Sequence, residues 1–302
     1  MKNDKRVLIE FGSNMAKIMS ADSKDMKNEN LQRLPLRLAT LMDDSGKISE
    51  KGILAILNLI GDTKIRNADA QEFILVGTEA LRRASNQQEI RARVKQDYGL
   101  DLRVLSPQEE AEAAYRGMKH LISKGKRAVC FDIGGSSIEL VKVYGNRIES
   151  MLSFPMGAVD LYHDQVHGMP ISNCAYTGLR LQIEKTLRWK VPSECNLIGS
   201  GGSVHTCAKV AMMNAGIDSS DIEGYRITKG ELLRQSQVYR ALDIDGIIKI
   251  PGMDPSRADI ILPAVMIMRH LLDQTGQPYF VASRRGVRHG VFLKEIEKGS
   301  RT

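Results

Sequence analysis

Aromatic side chains, paired cysteines and long apolar runs are all scarce in this chain, and each scarcity removes a class of function. Aromatics make up 5% of the 302 residues, with one tryptophan. Surfaces that bind single-stranded nucleic acid rely on rows of rings on which bases stack, so that class is disfavoured. Four cysteines, Cys130, Cys174, Cys195 and Cys207, form no CxxC pair and lie at no short spacing from histidine. Neither a disulfide framework nor a zinc knuckle is readable from them. The longest apolar run, Ile260 to Met268, is broken by Pro263; it is well short of the roughly 20 residues needed to cross a bilayer. Met1 to Arg6 is polar and the apolar stretch behind it ends at Ile9, too short for a secretory signal. A cytoplasmic protein with no membrane partner is expected.

What is present is ordinary globular material. Hydrophobic residues are 42% and charged residues 26%, a composition that buries a core rather than staying disordered. The length suits two domains or one large one. Forty-three basic residues against 36 acidic ones leave a net charge of +7. That moderate excess suits a polyanion without choosing between nucleic acid, polyphosphate and nucleotide.

Periodicity divides the chain into two similar runs. Arg6–Phe11, Ala16–Ser20 and Leu31–Leu38 read as strands, followed by a helix from Glu50 to about Lys64 capped by Ser49. A strand Phe73–Val76, a helix through Leu81, a helix Gln87–Tyr98 and a strand Leu102–Leu105 come next. Ser106-Pro107-Gln108-Glu109 combines a cap serine, a first-turn proline and the glutamate of a capping box. After residue 124 the pattern restarts with strands Ala128–Phe131, Ile138–Tyr144 and Ile148–Ser153, the last two joined by a Gly145-Asn146 hairpin signal. Helices then alternate with strands near Asn196–Ile198 and Tyr279–Ala282, and a last helix starts at about Val287. Glu10-Phe-Gly-Ser-Asn and Asp132-Ile-Gly-Gly-Ser stand 122 residues apart, each ending a buried strand in a glycine turn. Such a long-period repeat predicts a duplicated domain, with a cleft between the copies. The expected boundaries are 1–123, completed by a C-terminal helix at about 286–302, and 124–285.

Three glycine turns, at Gly12-Ser13-Asn14, Gly134-Gly135-Ser136 and Gly199-Ser200-Gly201-Gly202, offer backbone N–H groups to an anion, the third just before a helix. Asp132 and Glu139 flank the second turn, where carboxylates would repel phosphate unless a cation intervenes, which points to Mg²⁺. His163 and His167 stand four apart, but Asp164 replaces the glutamate of a zinc-protease helix and Gly168-Met169-Pro170 ends it; solvated histidines are expected there. From Tyr279 onward six Lys or Arg face two glutamates, with Arg284, Arg285 and Arg288 around Gly286, either a phosphate clamp or a solvated face.

Taken in order, these segments resemble the exopolyphosphatase/guanosine pentaphosphate phosphohydrolase family, within the actin, sugar-kinase and Hsp70 superfamily. The resemblance rests on EFGSN from Glu10, RLATLMDDSGKIS from Arg37, GTEALRRASN from Gly77, SPQEEAEAAYRGM from Ser106 and FDIGGSSIELV from Phe131. SFPMGAVDL from Ser153, IGSGGS from Ile198, DPSRADIILPA from Asp254 and SRRGVRHG from Ser283 complete it. It implies an α/β fold of duplicated actin-like (ribonuclease H-like) domains, each a mixed five-stranded sheet with helices, in a short two-domain form. It implies that Glu110 is the catalytic glutamate, that Arg82 contacts phosphate, and that Asp132 and Glu139 hold Mg²⁺ or Mn²⁺. Phosphate binding is expected at Gly12, Ser13, Asn14, Gly134, Gly135, Ser136, Gly201, Gly202, Arg257 and Arg288.

Departures from the family pattern are Glu10 for aspartate, Met15 for serine or threonine, Ser136 for glycine, Ile138 for threonine and Ala264 for glycine. The activity implied is release of terminal orthophosphate from inorganic polyphosphate, or alternatively hydrolysis of the 5′-γ-phosphate of guanosine pentaphosphate. A polyphosphate- or nucleotide-binding regulator without turnover is the alternative of another class. No specific nucleic-acid partner is expected, and a homodimer is left open.

Overall fold

The computed structural model describes residues 5–22, 29–145, 147–190, 192 and 195–299. By internal packing the chain divides into two units, Met1–Glu110 with Val291–Thr302, and Ala111–Gly290.

In the first unit, β1 (Lys5–Phe11), β2 (Met15–Asp22) and β3 (Asn30–Pro35) form an antiparallel run. The long helix α1 (Glu50–Arg66) starts where the sequence places it, with the Ser49 hydroxyl accepting from the Gly52 amide. After it come β4 (Glu72–Gly77), α2 (Glu79–Arg83), α3 (Gln87–Tyr98), β5 (Leu102–Val104) and α4 (Pro107–Met118). The sheet order is β3-β2-β1-β4-β5, with β4 and β5 parallel to β1. Its core is apolar: Val7, Ile9 and Phe11 of β1 cluster with Ile53, Ile56 and Ile60 of α1, whose three- and four-residue spacing puts one apolar stripe against the sheet.

The second unit repeats the plan. Strands β6 (Arg127–Ile133), β7 (Ile138–Tyr144) and β8 (Arg147–Phe154) are antiparallel. Of the hairpin signal between the last two, Asn146 lies outside the described residues. Helices α5 (Ala158–Gln165) and α6 (Asn173–Thr186), strand β9 (Asn196–Ser200), helix α7 (Gly202–Asn214) and strand β10 (Arg226–Thr228) follow. Then come α8 (Lys229–Ala241), α9 (Ile244–Ile248), α10 (Ile261–Thr275) and β11 (Tyr279–Ala282); the last helix, α11 (Val287–Gly299), belongs from Val291 on to the first unit. The order β10-β11-β9-β6-β7-β8 makes six strands. The sixth, β10, is a three-residue edge strand, too short for an alternating pattern to show in the sequence.

The fold class is the duplicated α/β one expected. Duplication holds at the level of register: Gly12 N donates to Met15 O at 3.0 Å and Gly134 N to Ser137 O at 2.9 Å, at positions 122 residues apart. The apolar run from Ile260 falls mostly in α10, a buried helix interior. Among the described residues no helix is long and apolar enough to cross a membrane.

Candidate active site

In the first unit the chemistry gathers at the start of α4. The capping box forms as the sequence predicts, with Glu109 N donating to Ser106 Oγ at 3.2 Å and Ser106 N to Glu109 Oε2 at 2.8 Å. The amide bond from Ser106 holds the Glu109 carboxyl below the usual carboxylate range, against the opposing effect of its partial burial. Glu110, one residue on and about 100° further round the axis, is 5% exposed. Its Oε2 lies 3.0 Å from Arg82 Nη1, which also donates to Leu105 O at 2.6 Å. The second Arg82 nitrogen binds Glu79 Oε2. Burial works against the charge on Arg82, but Glu110 and Glu79 outweigh it and raise its pKa above the ordinary value. Glu110 and Arg82, named from separate sequence segments, are therefore one ion-paired unit. Glu79 went unremarked in the sequence; its place three residues before Arg82 on a helix was the available signal.

Gly12, Ser13 and Asn14 form the turn between β1 and β2. The Gly12 amide is spent inside the turn, and the Ser13 and Asn14 carbonyls accept from Ala39 at 3.2 Å and from Leu36 and Arg37 at 3.0 and 2.8 Å. Glu10, just before the turn, sits opposite Lys17 in the strand pair; Lys17 Nζ lies 2.6 Å from Glu10 Oε1.

In the second unit four sequence segments converge. Asp132 sits opposite Glu139 in the β6–β7 register, so both side chains leave the same face. Asp132 accepts from the hydroxyl of Ser200, its register partner on β9, and Glu139 accepts from Ser153 Oγ at 3.0 Å. Both carboxylates are buried, as is Ser136. The amide of Gly134 is turned inward like that of Gly12, while the Gly135 carbonyl accepts from Val159 and Asp160 at 2.7 and 3.3 Å. Gly201 precedes α7 with φ 109°, a conformation that favours glycine. At Gly202 a Cβ would run into the guanidinium of Arg257, which lies across the N-terminus of α7 with Nη1 3.4 Å from Ser203 Oγ. Gly286 closes the group: a Cβ there would stand 3.1 Å from Ser200 Oγ and 3.2 Å from Asp132 Oδ1. Arg288 is buried rather than part of a solvated face, and donates to Arg284 O at 3.4 Å.

Other candidates stay apart from these groups. His163 and His167 are exposed, and α5 ends at Gln165, before the second of them. All four cysteines are free; Cys130 is fully enclosed, and burial pushes its thiol up to about 12. A cavity of about 570 Å³ between α7, β10 and α8 holds none of the motif residues. Among the described residues no group of three or more His, Cys, Asp or Glu is arranged to hold a metal.

Comparison with known proteins agrees on one family. A model of the Ppx/GppA phosphatase family matches residues 21–299. A guanosine-5′-triphosphate,3′-diphosphate pyrophosphatase of Vibrio vulnificus is 25% identical over 271 residues, 85% of this chain and 52% of that protein. One from Vibrio campbellii is 22% identical across 96% of this chain and 59% of its own length. The chain thus spans about half the length of the curated relatives it matches. Among solved structures, a Ppx/GppA family member from Aquifex aeolicus superposes with a TM-score of 0.84 at 24% identity, covering 99% of both chains. An exopolyphosphatase from Cytophaga hutchinsonii superposes with a TM-score of 0.88 at 22% identity over 97% of this chain and 98% of its own.

Proposed function

Because the chain belongs to the Ppx/GppA phosphatase family, we propose that it is a phosphohydrolase releasing terminal orthophosphate from inorganic polyphosphate, with Glu110 as general base. The observation that carries this reading is the partly buried Arg82–Glu110 pair. Hydrolysis of a phosphoric anhydride needs a base to orient and deprotonate water, and a cation to meet charge on the transferring phosphoryl group. The pair supplies both. Glu110 takes the proton as water oxygen bonds to the terminal phosphorus. The bridging P–O bond then breaks, and the shortened polyphosphate leaves with its electron pair. Arg82, whose side chain is 18% exposed, has a planar fork of five N–H donors suited to a phosphoryl group.

The second unit supports the same reading as a phosphate and cation site. Gly135, Ser136, the α7 N-terminus at Gly201 and Gly202, Arg257 and Arg288 would bind phosphate oxygens. The amides of Gly12 and Gly134 are engaged within their own turns, which leaves Ser13 and Asn14, and Gly135 and Ser136, as the turn residues suited to that task. Asp132 and Glu139 suit a Mg²⁺ or Mn²⁺ ion, since two hard carboxylate donors opposite one another on one face repel unless a cation joins them. When bound, such an ion supplies charge neutralisation at the phosphate oxygens. A cytoplasmic location goes with this reading, supported by four free cysteines.

Guanosine pentaphosphate is the second reading, favoured by the names of the Vibrio relatives. Polyphosphate leads because the net charge of +7 and the arginines around Gly286 suit a long polyanion. The test is phosphate release from long-chain polyphosphate and from guanosine pentaphosphate, each with Mg²⁺ and with EDTA. Mg²⁺-dependent release from polyphosphate is expected. Release from guanosine pentaphosphate alone would transfer the assignment to the second reading. Binding without release from either would make the protein a non-catalytic regulator.

A further inference from the structure

Glu223 belongs to no sequence motif singled out above, yet three donors converge on its carboxylate. It stands in the turn before β10 and is partly buried. His120 Nε2 donates to Oε1 at 2.7 Å, and Ser283 Oγ reaches the same oxygen at 3.2 Å. The backbone amide of Arg284 donates to Oε2 at 2.6 Å. Burial alone would raise the Glu223 carboxyl, but the bonds from His120, Arg284 and Ser283 together hold it below its ordinary value. The partners lie 103, 60 and 61 residues away along the chain, so this is a tertiary clamp and not a local turn.

What it clamps is the segment between β11 and α11. The Arg284 peptide is held at both ends: its amide by Glu223, while its carbonyl accepts from Arg288 Nη2 at 3.4 Å. Two residues on, Gly286 fits between Asp132 and Ser200 on one side and Gly117 on the other, where a Cβ on Gly117 would come within 2.5 Å of Gly286 O. At such spacing the loop has little room to shift around Gly286.

We propose that Glu223 is a positioning residue for phosphate binding, fixing the Ser283–Arg284 peptide so that the Arg288 guanidinium is aimed. The proposal rests on the phosphohydrolase reading for its consequence, but the clamp itself is a property of the ligand-free chain. Glu223 touches no reacting atom and acts through Arg288.

The experiment compares the full-length wild type with Glu223→Gln, His120→Gln, Arg288→Gln and the Glu223→Gln/Arg288→Gln double variant. Two readouts are used: the rate of tryptic cleavage after Arg284 and Arg285 in the ligand-free protein, mapped by mass spectrometry, and steady-state phosphate release with polyphosphate. Glu223→Gln should be cut at those two bonds about tenfold faster. It should raise KM for polyphosphate about tenfold, with kcat changed less than about twofold, in the range of losses seen for outer partners of a site. His120→Gln removes one bond of the three and should shift both readouts the same way by less. The double variant should have the KM of Arg288→Gln, because the clamp works through that arginine. Unchanged cleavage and KM in Glu223→Gln, or effects of the two substitutions that multiply, would overturn the proposal. A wild type that releases no phosphate sinks the phosphohydrolase reading separately; the cleavage rates, and polyphosphate affinity in place of KM, still decide the clamp.

Discussion

At Glu10 and at Asp132 the chain makes the same turn twice and completes it with opposite charges. Both acids end a central strand, both turns close with a glycine amide bonded to the carbonyl three residues on, and both strand pairs continue in matching register. The residue facing Glu10 is Lys17, whereas the residue facing Asp132 is Glu139. In the first unit the cross-strand pair is an ion pair of 2.6 Å, which stabilises the strand pair by itself. In the second it is two acids, a like-charge pair that is destabilising when left bare and that suits the cation of the proposed function. On the proposed reading the second turn's acids serve a cation, whereas the first turn's acid is already matched by Lys17. In the proposed function the first unit's general base is instead Glu110, on α4.

The sharpest contrast lies between two buried acids of the first unit, Glu110 and Glu10. Glu110→Gln should lower phosphate release by about 10²–10⁴, the usual loss for a general base, with polyphosphate binding kept. Glu10→Gln, assayed beside it, should change release by less than about threefold. Equal losses in both would mean that the first turn also does chemistry.

In the second unit, Glu139→Gln should weaken Mg²⁺-dependent release by roughly 10–100-fold, on the scale seen when metal-site partners are lost. It should leave the thermal midpoint measured in EDTA unchanged or raised, because one of two facing acids is neutralised. A fall in that midpoint would show that Glu139 serves the fold.

Exchanging the partners gives a smaller effect, read as stability. Lys17→Glu would place two acids across the first strand pair and should destabilise the protein by about 1–3 kcal/mol, as when a charged hydrogen-bond partner is lost, measured by urea unfolding. Glu139→Lys would copy the first turn's pairing into the second. It should cost less than Lys17→Glu.

The smallest effect concerns the helix that carries Glu110. Ser106→Ala should cost about 0.5–2 kcal/mol through loss of the cap. The Glu109 carboxyl titrates below its usual value in the folded state, so its contribution is present above the unfolded carboxylate pKa and is lost as pH falls through the folded value. Acid unfolding of Glu109→Gln should therefore lack the part of the stability change seen in that window in the wild type.

Legibility followed the range of the interaction. Local devices were readable: the Ser49 cap, the Ser106–Glu109 box and α3 at Gln87–Tyr98 stand where spacing and capping residues put them. The turn repeat was readable too, and its 122-residue offset also pairs Lys17 with Glu139, a contrast present in the sequence but drawn only once the registers were known. Contacts between distant segments were not readable. Nothing local announces that Arg257 lies over Gly202, that Arg288 is buried, or that Glu223 gathers His120, Ser283 and Arg284, because each depends on how loops from separate strands meet. The edge strand β10 was lost for a different reason: three residues carry too little pattern.

The most direct test of the asymmetry between the turns is the Mg²⁺ concentration for half-maximal phosphate release, measured in parallel for wild type, Glu10→Gln and Asp132→Asn. With a cation held at the second turn alone, Glu10→Gln should keep the wild-type value and Asp132→Asn should raise it at least about tenfold. A raised value in Glu10→Gln with an unchanged one in Asp132→Asn would contradict the account.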